Sequence, residues 1–177
     1  MNSQNILYIF IFLVIFNFLF TTVLDYLNDK NWKDEIPDDL KDFYDSSTYL
    51  KAKKYKIERG RLSSISSSLN LIFTVLMLYF YGFGFISDYA ISFSDSVIVQ
   101  SSIFFIIFHL ITYFLGIPFS YYSTFVIEEK FGFNKTDLKT FIIDKIKSLI
   151  MSAILIIGLT STAVLIIGFF STGFWLW

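Results

Sequence analysis

Four stretches of this chain are apolar, free of formal charge and about twenty residues long, and nothing else in it restricts the fold more. They run from about Ile6 to Leu24, Ile65 to Ile86, Val97 to Gly116 and Ser148 to Phe170. A helical residue rises about 1.5 Å and the hydrocarbon core of a bilayer is about 30 Å thick, so about twenty residues cross it. None of the stretches holds Lys, Arg, Asp or Glu. Each such residue would cost several kcal/mol at mid-bilayer. The expected fold is all-α: a polytopic membrane protein with spans at about 6–24, 65–86, 97–116 and 148–170. Pro118 is expected to mark the end of the third span. The first stretch reads as a retained helix. No Lys or Arg precedes it, the run is too long for a signal peptide, and no small-residue cleavage site follows.

Composition agrees. Hydrophobic residues make up 55% and charged residues 16% of the 177, against about 45–50% and about 25% in soluble domains. The chain has no cysteine, which excludes disulfides, thiol catalysis and thiolate metal sites. Its net charge of -1 argues against a nucleic-acid partner.

The basic residues set an expected topology. Nine lie in segment 25–64 and five in segment 117–147, which accounts for all fourteen. Loops rich in Lys and Arg stay in the cytoplasm. Loops 25–64 and 117–147 are therefore expected inside, with both termini outside or lumenal. These loops read as juxtamembrane helices. Pro37 suits a first helical turn, and Asp38 and Asp39 suit the positive end of its dipole. A second helix is expected from Ser46 or Ser47 through the Lys-rich stretch into span two, weakened at Gly60. A third, capped by Asn134 or Thr136, places Leu138, Phe141, Ile142 and Lys145 at helical spacing and runs into span four. Trp32, Trp175 and Trp177, with Tyr79 and Tyr81, fit interfacial belts.

Few side chains suggest chemistry. His109 lies inside span three and is the single histidine. A catalytic zinc needs two or three further ligands, so His109 reads as a polar residue facing other helices or a cavity. Gln100, Asn17 and Asn70 are read the same way, as glue between helices or as lining of a wet interior. Glu128 and Glu129 are adjacent and do not share a helix face, so they read as a solvated patch. Asn134-Lys135-Thr136 is a glycosylation sequon on the expected cytoplasmic side. The serine run Ser63, Ser64, Ser66, Ser67 and Ser68 reads as a helix start rather than a nucleophile. No catalytic, cofactor-binding or metal-binding residue is expected within the chain.

Segment 117–136, Ile-Pro-Phe-Ser-Tyr-Tyr-Ser-Thr-Phe-Val-Ile-Glu-Glu-Lys-Phe-Gly-Phe-Asn-Lys-Thr, resembles the segment after the third membrane span of type I CAAX prenyl proteases. Those are membrane zinc metalloproteases of the HExxH class. Asp25-Tyr26-Leu27-Asn28, the stretch Tyr49 to Arg61, the run Phe141 to Lys147, and Phe174-Trp175-Leu176-Trp177 are similar to family segments in the same order. The resemblance covers essentially the whole chain and concerns the N-terminal membrane region. In the family, HExxH follows a fifth span, and no position here matches it.

The resemblance implies a membrane-embedded N-terminal half of a CAAX-type zinc metalloendopeptidase. Such a half would form chamber wall and substrate-access surface, while C-terminal peptides of prenylated, membrane-tethered proteins are cut by a separate or downstream catalytic half. Zinc belongs to the intact family and not to this chain, which is expected to be inactive alone. The partners implied are the lipid bilayer, the catalytic half and a peptide or prenylated protein substrate. The rival readings are a non-catalytic scaffold or inhibitor of the same ancestry, and a small transporter. Against the transporter, no charge lies within a span and no inverted repeat is visible. The abundance of Ile, Phe, Asn, Lys and Tyr favours a bacterial inner membrane, with the endoplasmic reticulum as the alternative.

Overall fold

The structure is a computed structural model. It describes residues 2–31, 35–36 and 45–170. Its elements are α1 (Ser3–Asn31), α2 (Ser46–Tyr79), α3 (Gly82–Phe93), α4 (Val97–Tyr122), a π-helical segment (Ser123–Glu128) and α5 (Leu138–Phe170). No strand occurs among the described residues. Four helical runs are long and apolar enough to cross a membrane: Gln4–Asn31, Ser46–Tyr79, Val97–Glu128 and Leu138–Phe169. The expected all-α fold with four spans is therefore present. The helix expected at Pro37 and the tryptophans Trp32, Trp175 and Trp177 lie outside the described residues.

Several boundaries differ from expectation, each for a local reason. Span two does not continue to Ile86. α2 ends at Tyr79, and the Phe80 amide closes the last turn on the Leu76 carbonyl at 2.9 Å. Tyr81 then turns left-handed at φ 61, a conformation costly for a bulky residue. Gly84 permits that turn, because a Cβ there would lie 2.1 Å from the Tyr81 ring. α3 follows as a separate helix of 12 residues, too short to span.

Pro118 does not end span three. α4 runs through it to Tyr122 and passes into the π-helical segment. Proline removes one backbone bond, whereas ending the helix would leave its last four carbonyls without intrahelical partners. Beyond Pro118, Ser123–Glu128 takes the wider π form. Much of the expected loop 117–147 is therefore helical.

α2 starts at Ser46 as expected. Its cap is Asp45, whose carboxylate accepts from the Thr48 amide at 2.7 Å and from the Ser47 hydroxyl at 2.7 Å. α5 starts at Leu138 and runs unbroken into span four. Its cap is Asp137, accepting from the Thr140 amide at 2.7 Å, and not Asn134 or Thr136. Asn134 is committed elsewhere, with its amide on the Glu128 carbonyl and its side chain on the Glu129 carboxylate.

The chain forms two compact units. One comprises Met1–Phe80 and Pro118–Lys135, the other Tyr81–Ile117 and Thr136–Trp177. The small core of the first holds Ile127 at 2% exposure, with Phe131 and Tyr49 also buried. Burying an isoleucine side chain of this kind stabilises by about 1.5–3 kcal/mol. In the second unit, α4 and α5 run antiparallel and are stitched by polar pairs. Ser102 meets Thr160 at 3.1 Å, His109 Nε2 meets Ser152 Oγ at 2.7 Å, and the Tyr113 hydroxyl donates to the Lys145 carbonyl. Outside these contacts the spans are sheathed in exposed Phe, Ile and Leu; Phe12 is 63% and Leu159 70% exposed. In water that sheath would aggregate, and in lipid it is solvated.

Candidate functional site

The polar residues of the first unit fall into stripes. On α1, Asn17, Thr21, Asp25 and Asp29 recur every four residues, one face of a helix. On α2, Ser63, Ser67, Asn70 and Thr74 lie three or four residues apart, again on one face. From the end of α4 onward, Ser120, Ser123, Thr124 and Glu128 form a third polar stripe. Together they line a crevice made of two adjoining hollows of about 710 Å³ and about 540 Å³. The hollows share Asp25, Asp29, Ser63, Ser64 and Ser67.

Three of the hydroxyls in this crevice bond back to their own helices. Ser64 Oγ donates to the Gly60 carbonyl at 2.9 Å, Ser68 Oγ to the Ser64 carbonyl at 2.8 Å, and Thr22 Oγ1 to the Phe18 carbonyl at 2.8 Å. Their lone pairs remain as acceptors for water or a peptide amide. At one end of the crevice Lys56 pairs with Asp29 at 3.2 Å, and Arg59 approaches Glu128 at 4.0 Å. Exposed pairs of this kind contribute about 0–1 kcal/mol; they set orientation more than stability.

The π-helical segment ends in a tight C-cap. Gly132 is left-handed at φ 72. The Phe133 amide reaches the Glu128 carbonyl at 2.8 Å, and the Gly132 amide reaches the Glu129 carbonyl at 3.0 Å. This pair of bonds is the Schellman arrangement. It sends Phe131 and Phe133 back against Tyr55, with ring centroids at 5.5 and 5.0 Å. Lys51 Nζ lies 5.2 Å from the centre of the Phe133 ring. The stretch 127–134 therefore reads as a folding device: Ile127 anchors, Gly132 turns, and the aromatics clamp α2.

The candidates raised by the sequence separate cleanly. Asn17 and Asn70 line the crevice. In the second unit His109 is bonded to Ser152 and joins α4 to α5, whereas Gln100 Nε2 donates to the Ser94 carbonyl at 2.7 Å and ties down the turn before α4. Glu128 lines the crevice, while Glu129 accepts from the Asn134 side chain. The serine run is not a helix start: it sits mid-way along α2 and forms the crevice wall. The helical spacing of Ser63, Ser67, Asn70 and Thr74, matched by Asn17, Thr21 and Asp25 on α1, is the sequence signal for this wall.

Among the described residues no three His, Cys, Asp or Glu side chains come together to hold a metal, and His109 is engaged by Ser152. The crevice offers a polar lining.

These features define a class: a polytopic α-helical membrane protein whose spans enclose a polar crevice and carry a capped motif at the charged end. Residues 25–177 match the family described as CAAX prenyl protease N-terminal, five membrane helices. The chain belongs to that family, in its N-terminal membrane region. It is 31% identical over 175 residues to the CAAX prenyl protease 1 homolog of Taenia solium, covering 89% of this chain and 36% of that protein. It is 30% identical over 133 residues to the Homo sapiens homolog, covering 71% of this chain and 28% of that protein. The crystal structure of S. mikatae Ste24p superposes with a TM-score of 0.72 at 29% identity, over 88% of this chain and 37% of that one. The chain thus spans about a third of the length of the relatives it matches.

Proposed function

We propose that the chain forms part of the wall of a hydrophilic compartment within the membrane, in a zinc metalloendopeptidase of CAAX type. C-terminal peptides of prenylated, membrane-tethered proteins would pass this wall on their way to a catalytic region bearing HExxH, supplied by a longer chain or a separate partner. In this reading residues 1–177 serve as one membrane region. The basic stretches 25–64 and 117–147 face the cytoplasm, because Lys and Arg concentrate there.

The observation that supports it is the crevice. Helices otherwise sheathed in exposed apolar side chains converge three polar stripes on one hollow. Membrane helices keep polar side chains where water or protein meets them. The serine and threonine oxygens offer acceptors to peptide amides without imposing side-chain selectivity, which suits passage of varied sequences.

Two measurements test the reading. A single cysteine replacing Ser67 should react with a membrane-impermeant thiol reagent, and one replacing Phe16, which is 55% exposed on the apolar side of α1, should not. Co-expression with a catalytic half from the family should yield association and zinc-dependent peptidase activity. That activity should fall when Ser67→Leu and Asn70→Leu fill the crevice. An unreactive Ser67→Cys chain, or a catalytic half that neither binds nor becomes active, would overturn it.

A further inference from the structure

On the other face of α2 from the serines lies a second hollow of about 580 Å³, wholly within the first unit. From α2 it takes Glu58, Arg61, Leu62 and Ile65, whose spacing of three, four and seven residues puts them on one face. Tyr122, Ile127 and Lys130 complete it. We propose that this hollow binds one anionic glycerophospholipid, with the phosphate on Arg61 and Lys130 and an acyl chain along Leu62 and Ile65.

Its depth in the membrane follows from charge along the chain. On α2 the last formal charge is Arg61, and none follows through Tyr79. On the facing segment no formal charge occurs from Val97 through Ile127, and the first is Glu128. Both boundaries between charge and hydrocarbon-compatible sequence meet at this hollow. It therefore sits where lipid phosphates sit, with its apolar floor pointing into the bilayer.

The charge is complementary to an anion. Two cations and one carboxylate line the hollow. Glu58 is paired with Lys130, which leaves Arg61 as the surplus cation. The neighbouring acids are turned elsewhere: Glu128 lies toward Arg59 on the crevice side, and Glu129 toward Asn134. A guanidinium presents a planar fork that matches two phosphate oxygens. The exposed Tyr122 ring adds the amphipathic edge that favours the interfacial zone. Basic hollows between membrane helices recognise anionic headgroups by this combination. The proposal is independent of any peptidase role for the chain.

The test is native mass spectrometry of the full chain, purified in detergent and offered phosphatidylglycerol or phosphatidylcholine. Phosphatidylglycerol should be retained preferentially. Arg61→Gln should lower its retention about five-fold, the loss expected for one basic group at a membrane surface. Arg61→Lys should restore part of it. Glu58→Gln should raise retention by freeing Lys130, a rise that no merely structural ion pair would produce. Equal retention of the two lipids, an unchanged Arg61→Gln chain, or a fall in Glu58→Gln would overturn the proposal. If Arg61→Gln loses helicity, a photoreactive phenylalanine analogue at Tyr122 in an otherwise unaltered chain decides it. In vesicles of both lipids it should capture phosphatidylglycerol, and adducts with phosphatidylcholine alone refute the site.

Discussion

At the scale of single residues, the family motif is held by backbone demands more than by chemistry. Gly132 sits at φ 72 in the Schellman turn, where any L side chain is strained although space is open around it. Gly132→Ala should therefore destabilise by about 1 kcal/mol, read as a lowered thermal midpoint in detergent. Asp45 offers a pH-dependent contact. The Ser47 hydroxyl, with the Thr48 amide and hydroxyl, holds its carboxyl at about 2 against an ordinary 3.8. The folded helix thus prefers the ionised form. Its contribution is whole above about pH 4 and is lost as pH falls toward about 2. Circular dichroism between those values should show fraying of the α2 start that is absent from Asp45→Asn. Asp137, lowered by the Thr140 amide, should act in the same direction at α5.

At the scale of elements, α4 and α5 illustrate how membrane helices adhere without a hydrophobic driving force between them. Their contact carries Ser102–Thr160, His109–Ser152 and the Tyr113 bond to the Lys145 carbonyl. Such bonds average about 0.6 kcal/mol in membrane proteins. A double-mutant cycle of His109→Leu and Ser152→Ala should give a coupling energy of about that size, measured by unfolding in mixed micelles. A coupling near zero would mean that packing alone holds the pair. In the first unit the elements are joined differently, through the buried Ile127 and the Phe131–Tyr55–Phe133 cluster. Ile127→Ala should cost about 2–5 kcal/mol and release the segment 118–135 from α2, seen as faster proteolysis there.

At the scale of the whole molecule, the distribution of charge predicts sidedness. The chain has no native cysteine, so single cysteines report without background. Replacing Ser47 and Thr136 should place both on one side of the membrane, labelled together by an impermeant reagent. A cysteine at Asn2 should label from the other side. Labelling of Ser47→Cys and Thr136→Cys from opposite faces would refute the topology read from Lys and Arg.

Sequence alone determined the class, because the cost of burying charge or leaving backbone unbonded in lipid is so large that it shows in composition. It also carried the continuity of α2 and α5 into their spans and the family motif, whose glycine and aromatics are local requirements. The places where helices stop or continue turned on local backbone demands that hydropathy alone does not display. Pro118 is tolerated and the Tyr79–Tyr81 turn breaks span two for reasons that involve backbone satisfaction and the fit of the Tyr81 ring over Gly84. Only the fold separated bonded residues from lining ones: His109 and Gln100 carry the same polar signal as Asn17 and Asn70, yet one pair is bonded and the other borders the crevice. A polar residue in a span announces that it needs a partner, and which partner it meets depends on side chains brought near it by the packing of other helices.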